Sequence, residues 1–223
     1  MTSEETSDSG RDLRKMVAAL PHPIIMDVGS GAAPLPIAHI LVDRFPWDAE
    51  GHRNTGKCTG YPGQLFVKAN VEDLPFDDES VDFIWCSHLL EHVDDPVKAM
   101  GEMRRVSKQG ALLIPPVEME SIIQMAEQGT KANGHNWLCR SIPQSHLEFM
   151  RCDDSDKDEV RGLLRKLGVW PRVPYRLFET AIFQGWGWNG WPSEIEARIV
   201  EPTDENLYQW NQRFVAKETE CPS

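Results

Sequence analysis

Two short apolar runs stand unusually close together near the start of this chain. Ile24-Ile25-Met26 ends in Asp27 and a turn, Gly29-Ser30-Gly31, and His39-Ile40-Leu41-Val42 ends in Asp43. Short apolar runs bounded by turn residues read as buried strands. The link between them holds Pro34 and Pro36. Each interior proline removes a donor and clashes with the preceding turn, so a long helix is excluded and a loop with one helical turn is expected. That is a short crossover for two parallel strands. A strand that stops at an acid and glycines exposes backbone N–H groups at its C-terminal end, where open α/β sheets bind small ligands.

The rest of the chain repeats the alternation. A Gly- and Pro-rich loop over residues 46–63 precedes a third strand, Gln64–Ala69, and a fourth, Val81–Cys86, follows the turn at Asn70–Phe76. Asp94 or Asp95 is placed to cap a helix with Pro96 in its first turn. Val97, Met100, Met103 and Val106 recur at helical spacing, Gly110 is the expected C-cap, and Ala111–Ile114 is a fifth strand. Met119–Gln128 reads as another helix. Beyond it, a hairpin is expected over residues 134–151, turning near Pro143, and an amphipathic helix over Lys157–Leu167. A pair of aromatic strands follows, Tyr175–Trp188 and Ile195–Val200, and a short helical turn near Tyr208–Phe214. An additional short helix fits Asp12–Leu20. The fold class is α/β, a doubly wound, mostly parallel sheet with C-terminal β-hairpin additions. The expected organisation is a polar tail over residues 1–20, one domain over 21–202 whose elaborated part is 134–200, and a second tail over 203–223.

Composition narrows the function. The chain has 223 residues and a formal net charge of −12. A nucleic-acid binder needs a basic footprint to neutralise phosphates, so that class is disfavoured. A small-molecule, peptide or glycan acceptor fits better. The polar first fifteen residues lack the apolar core of a secretory signal, and no apolar run reaches the length of a membrane span. The five cysteines, Cys58, Cys86, Cys139, Cys152 and Cys221, form no paired motif. Reduced thiols in a cytoplasmic compartment are the simplest expectation. Composition leaves the oligomeric state open.

Four strand ends carry the residues that chemistry would use. Gly29 and Gly31 let a ligand approach the backbone closely. Asp27 can fix the loop or accept from a cationic ligand group, with Ser30 beside it. Asp43 can accept both hydroxyls of a ribose. Asn70-Val71-Glu72 can read an adenine edge through an amide side chain and a backbone N–H. Ser87 and His88 form the floor near the ligand's reactive end. Each of these also has a plain structural explanation as a turn residue. His135, Cys139 and His146 follow no established metal-ligand spacing, so no metal is expected. Trp186, Trp188 and Trp191 fit an acceptor pocket or a satellite core, and the acidic run Asp153–Asp158 fits a solvated helix start.

These pieces, in this order, resemble the class I S-adenosylmethionine-dependent methyltransferases, in particular the small methyltransferase-11-like group. DVGSG is similar to that family's glycine motif and Asp43 to its acidic ribose ligand. The stretch from Ala69 to Pro116 follows its second half closely, and His135-Asn136-Trp137 resembles an H-x-W element of a subgroup with a shortened first crossover. The resemblance covers residues 23–137. It implies a Rossmann-like fold, S-adenosyl-L-methionine as cofactor, and cofactor contacts from Asp27, Gly29, Ser30, Gly31, Asp43, Asn70, Val71, Glu72, Ser87 and His88. Two departures stand out: the family usually has aspartate at position 70, and the first helix is curtailed.

Methyl transfer from a sulfonium is an in-line displacement in which the protein binds, orients and excludes water. A general base is required only when the acceptor must lose a proton, and His88, His92 and His135 are the candidates. Two other functions compete. A non-catalytic binder or scaffold would keep the fold without turnover. A nicotinamide-dependent oxidoreductase would want G-x-G-x-x-G and an acid about 20 residues on. Here Pro34 occupies the third glycine position and Asp43 comes too soon.

Overall fold

A computed structural model describes residues 10–49, 57–115, 135–142, 146–151, 184–188 and 196–203, together with residues 166 and 205. The chain divides into two compact units. One comprises Met1–Leu113 and Gly185–Glu194, the other Ile114–Gln184 and Ile195–Ser223.

The first unit opens with helix α1, Gly10–Ala18, which buries Leu13 and Val17. Its strands are β1 (Ile25–Val28), β2 (Ile40–Asp43), β3 (Leu65–Lys68), β4 (Phe83–Ser87) and β5 (Gly110–Ile114). Their order in the sheet is β3-β2-β1-β4-β5, and every pairing among them is parallel. The chain therefore starts in the middle, winds one way through β2 and β3, then reverses at β4, which makes the β1/β4 boundary the switch point of a doubly wound sheet. A further strand, β8 (Gln184–Trp188), extends the sheet beyond β5. Met26, Val28, Ile40, Leu41, Val42 and Ile84 are all almost completely buried. Such near-continuous burial is what parallel strands covered on both faces require.

Helix α2, Pro96–Val106, connects β4 to β5. Asp95 caps it by accepting from the Lys98 N–H at 2.9 Å, and Pro96 fills a position that needs no donor. The buried face is Pro96, Ala99, Met100, Met103 and Val106, while Val97 is exposed. The expected stripe is thus corrected at one place: Ala99 packs inward and Val97 does not. The helix ends at Ser107 in extended conformation, and Gly110 opens β5 rather than capping α2.

The link between β1 and β2 contains turns and no helix, as the two prolines dictate. Gln64 holds it in place, with Nε2 donating to the carbonyls of Leu35 at 3.0 Å and Ala38 at 2.9 Å. Ala38, Leu41, Cys58 and Phe66 form a buried cluster beneath it, with Leu35, Phe45 and Trp47 packed against them.

The second unit contains the strands β6 (Trp137–Ile142), β7 (His146–Arg151) and β9 (Glu196–Val200). β6 and β7 form the expected antiparallel hairpin, and β9 runs parallel to β7. The two late strands are therefore not partners: β8 joins the large sheet and β9 the small one. Arg140 and Glu148 face each other across β6 and β7 and pair at 3.1 Å, and His146 reaches the same carboxylate at 3.0 Å. Cys139 opposes Phe149 while His146 opposes Ile142, which puts Cys139 and His146 on opposite faces of the hairpin. The expected helices at Met119–Gln128 and Tyr208–Phe214 lie outside the described residues. So do most of Lys157–Leu167, the acidic run Asp153–Asp158, Trp191, and the side chains of Trp186 and Trp188.

Candidate active site

The glycine turn is built differently from the sequence expectation. Gly29 N–H and Ser30 N–H both donate to the Val42 carbonyl, at 2.8 and 3.2 Å, and Gly31 N–H donates to Asp43 Oδ2 at 2.9 Å. The turn's N–H groups are thus spent on β2 and do not project toward a ligand. The cause is the sheet register: Val28 lies beside Val42, so the parallel β1–β2 ladder continues into the turn and the backbone finds its partners there. Gly29 is nonetheless required. It has φ +75°, and a Cβ there would meet Leu89 at 3.0 Å. What the turn offers instead is the Ser30 hydroxyl, which is buried and has no hydrogen-bond partner.

Asp27 and Asp43 sit at the ends of adjacent strands, both buried. Asp27 Oδ2 accepts from the Leu35 N–H at 2.7 Å. Burial pushes its carboxyl up to about 6; the Leu35 hydrogen bond opposes that rise and the nearby Asp43 charge adds to it. Asp43 accepts from Gly31 N–H through Oδ2 and from Phe45 N–H through Oδ1, the latter at 2.9 Å. The Cys58 thiol is also hydrogen-bonded to this carboxylate, whose roughly four acceptor positions still leave room for a further donor such as a hydroxyl.

After β3, the Asn70 Oδ1 accepts from the Glu72 N–H at 3.1 Å. The Glu72 carboxylate in turn accepts from the Asp94 and Asp95 N–H groups, at 2.9 and 3.2 Å. Glu72 therefore joins this turn to the start of α2. After β4, His88 adopts φ +53°, in the left-handed region that favours glycine. Its Nδ1 lies 3.4 Å from Glu91 Oε1, and His92 Nε2 lies 3.9 Å from the same oxygen. Glu91 is fully buried.

These strand ends converge on one cavity of about 630 Å³. Asp27, Gly29, Ser30, Gly31, Asp43, Asn70, Val71, Glu72, Ser87 and His88 all line it, as does His92. His135 belongs to the second unit, where it is buried just ahead of β6. Sequence reasoning missed much of the apolar wall. Trp85, Leu89 and Val93 line the cavity, and so do Pro34, Leu35, Pro36 and Phe45. Trp85 could have been anticipated, since it pairs in register with Asp27 on the neighbouring strand. The others depend on how loops fold back, which no periodicity reports.

The electrostatics of the cavity have one sign. Asp27, Asp43, Glu72 and Asp94 line it, against a single guanidinium, Arg44. A group carrying positive charge is favoured there and a phosphate is not. A pyrophosphate would also need unspent N–H groups at a helix N-terminus. The turn's N–H groups are already bonded, and no helix follows it.

Parts of the chain are similar to known proteins. Residues 38–114 match the family model described as a methyltransferase domain. A ubiquinone biosynthesis O-methyltransferase of Hahella chejuensis is 28% identical over 170 residues, covering 66% of this chain and 68% of the relative. An uncharacterized methyltransferase of Mycobacterium tuberculosis is 36% identical over 97 residues, covering 40% of this chain and 37% of the relative. A crystal structure from Thermotoga maritima is described as a S-adenosylmethionine-dependent methyltransferase and possible histamine N-methyltransferase. It is 27% identical with a TM-score of 0.34, covering 49% of this chain and 53% of that one. The chain thus spans little more than a third of the mycobacterial relative's length and about half of the Thermotoga chain. No helix among the described residues is long and apolar enough to cross a membrane. The β3-β2-β1-β4-β5 parallel sheet has the Rossmann-like arrangement, and residues 38–114, which hold four of its five strands, are the stretch similar to a methyltransferase domain.

Proposed function

We propose that the cavity binds S-adenosyl-L-methionine and that the protein transfers its methyl group to a small or medium-sized organic acceptor. The observation that carries this reading is the acidic cavity whose glycine turn has no N–H left for a phosphate. A sulfonium amino acid brings positive charge, a ribose and a base, and each has a matching group. Asp27 and the buried Ser30 hydroxyl receive the amino-acid end, Asp43 the ribose hydroxyls, and Asn70 with the Val71 N–H the base edge. The unsatisfied Ser30 hydroxyl independently favours a polar ligand, because a buried hydroxyl left unpaired costs about 1–3 kcal/mol.

The bound cofactor supplies an electrophilic methyl group on sulfur. The chain's own residues hold and orient it and exclude water, with Trp85, Leu89 and Val93 forming an apolar wall. His88 and His92 flank the buried Glu91 carboxylate at the same cavity and can take a proton from a hydroxyl acceptor. The net charge of −12 favours a neutral or cationic acceptor over a polyanion.

Calorimetric titration tests the reading. S-adenosylmethionine and S-adenosylhomocysteine should bind with one site per chain, and NAD should not. Binding of NAD without S-adenosylhomocysteine would overturn it.

A further inference from the structure

The residue at position 70 decides more than the strength of base binding. Its Oδ1 faces the Glu72 N–H at 3.1 Å. That contact fixes the amide's orientation, since the reverse would set two donors against each other. The Glu72 side chain is itself held by the Asp94 and Asp95 N–H groups, and the turn is closed by the Asp73 N–H donating to the Asn70 carbonyl at 3.0 Å. The acceptor is therefore held where it is. The Asn70 NH2 group, on the other side of Cγ, projects away from the turn. Asn70 lines the cavity and is exposed to it.

A carboxylate in this place would offer a ligand acceptors only. The amide offers two different things: the second lone pair of Oδ1 and the two N–H donors of Nδ2. A 6-amino purine presents a donor at its 6-position and is served by the lone pair. A 6-oxo purine presents an acceptor and is served by the NH2 group. We propose that Asn70 makes the base end of this cavity permissive at the purine 6-position, so that the inosyl form of the cofactor product is accepted alongside the adenosyl form. The proposal rests on the reading of this cavity as an S-adenosylmethionine site. One contact works against the inosyl form: its N1 carries a hydrogen, which meets the Val71 N–H instead of accepting from it. The inosyl form thus keeps a contact with Asn70 and loses the one with Val71, a net loss of one hydrogen bond, which leaves the two forms within about tenfold of each other. With aspartate at position 70 both contacts turn against the inosyl form.

The test is calorimetric titration of the full chain, and of Asn70→Asp, with S-adenosylhomocysteine and S-inosylhomocysteine. Aspartate can still accept from the Glu72 N–H, so the turn is retained. In the native protein the two dissociation constants should agree within about tenfold, and Asn70→Asp should widen the ratio by a further factor of about thirty or more in favour of the adenosyl form. If S-adenosylhomocysteine binds the native protein and S-inosylhomocysteine is weaker by more than about tenfold, permissiveness is refuted while the cofactor reading stands. An unchanged ratio in Asn70→Asp shows that position 70 is not the determinant and also refutes it. Failure of S-adenosylhomocysteine to bind the native protein removes the cofactor reading and this proposal together.

Discussion

Two crossovers flank the central strand pair, and they are held by different means. Between β4 and β5 stands a helix with a capping aspartate, a proline in its first turn and a buried stripe of Ala99, Met100, Met103 and Val106. Between β1 and β2 there is no helix. That link is fastened by side chains reaching in from other elements: Asp27 to the Leu35 N–H, Asp43 to the Gly31 N–H, and Gln64 to the Leu35 and Ala38 carbonyls. A helix satisfies its own backbone, so its packing residues need take no part in binding. A loop cannot, so the acids that face the cavity are also the ones that hold its wall. Substitutions in the first crossover should therefore disturb stability and ligand binding together, and those in the second stability alone.

The largest effect comes from the cores under the two crossovers. Leu41 and Met103 are both completely buried. Replacing either with alanine should cost about 3 kcal/mol in chemical denaturation, the usual cost of a large-to-small core change. The two should part company in ligand titration. Leu41→Ala should weaken S-adenosylhomocysteine binding, because Leu41 supports the cluster beneath Leu35 and Phe45. Met103→Ala should leave the affinity of the folded fraction unchanged. Equal effects on binding would erase the distinction drawn between the crossovers.

Asp27→Asn probes the acid that does both jobs. Burial holds the folded carboxyl up at about 6, above its ordinary 3.8. The folded state then binds more protons than the unfolded state between those values. The contribution of Asp27 to native stability should accordingly fall as pH rises from about 4 to 6 and level off above, which the difference between native protein and variant isolates. Asparagine keeps an acceptor for the Leu35 N–H and removes the buried charge. Asp27→Asn should therefore match the native protein near pH 4 and exceed it by up to about 3 kcal/mol above pH 7, from a shift of about two units. Binding should move the other way: the variant should lose at least about tenfold in S-adenosylmethionine affinity at pH 8, since a charge-assisted contact is worth about 1.5–3 kcal/mol. A variant that is no more stable at pH 8 than at pH 4, relative to native, would remove the buried charge from the account.

Gln64→Met should cost about 2 kcal/mol, from two carbonyls left without their donor. It should also weaken S-adenosylhomocysteine binding, although Gln64 does not line the cavity. A loss of stability with binding intact would show that the first crossover is held well enough by Asp27 and Asp43 alone.

The same contrast explains what the sequence could disclose. The five parallel strands are legible as apolar runs ending in polar residues, and α2 is legible from Asp95, Pro96 and its periodic apolar positions. Its phase was not settled by four apolar residues, because Ala99 is small enough to pack closely and Val97 projects to solvent. The cavity residues are legible because the strand ends converge wherever the sheet is doubly wound. The fate of the glycine turn's N–H groups is not legible. It depends on Val28 lying beside Val42 in the sheet, a register between two strands that neither apolar run states by itself. The separation of β8 from β9 is hidden for a similar reason: two strands joined by a turn-rich segment look like a hairpin until each is seen to have another partner.

The smallest effect isolates the second crossover. Asp95→Ala removes the side chain that accepts from the Lys98 N–H and should cost about 1 kcal/mol, the usual worth of an N-cap. The Asp95 backbone N–H remains, and with it the bond to the Glu72 carboxylate at 3.2 Å. The turn at Asn70–Asp73 thus keeps its tie to the start of α2, and the cavity wall does not depend on the lost carboxylate. Binding of S-adenosylhomocysteine should be unchanged within about twofold, because the helix frays at its first turn without releasing the backbone that Glu72 holds. Were affinity to fall with stability, the start of α2 would have to be counted with the first crossover, as a place where fold and site share the same bonds.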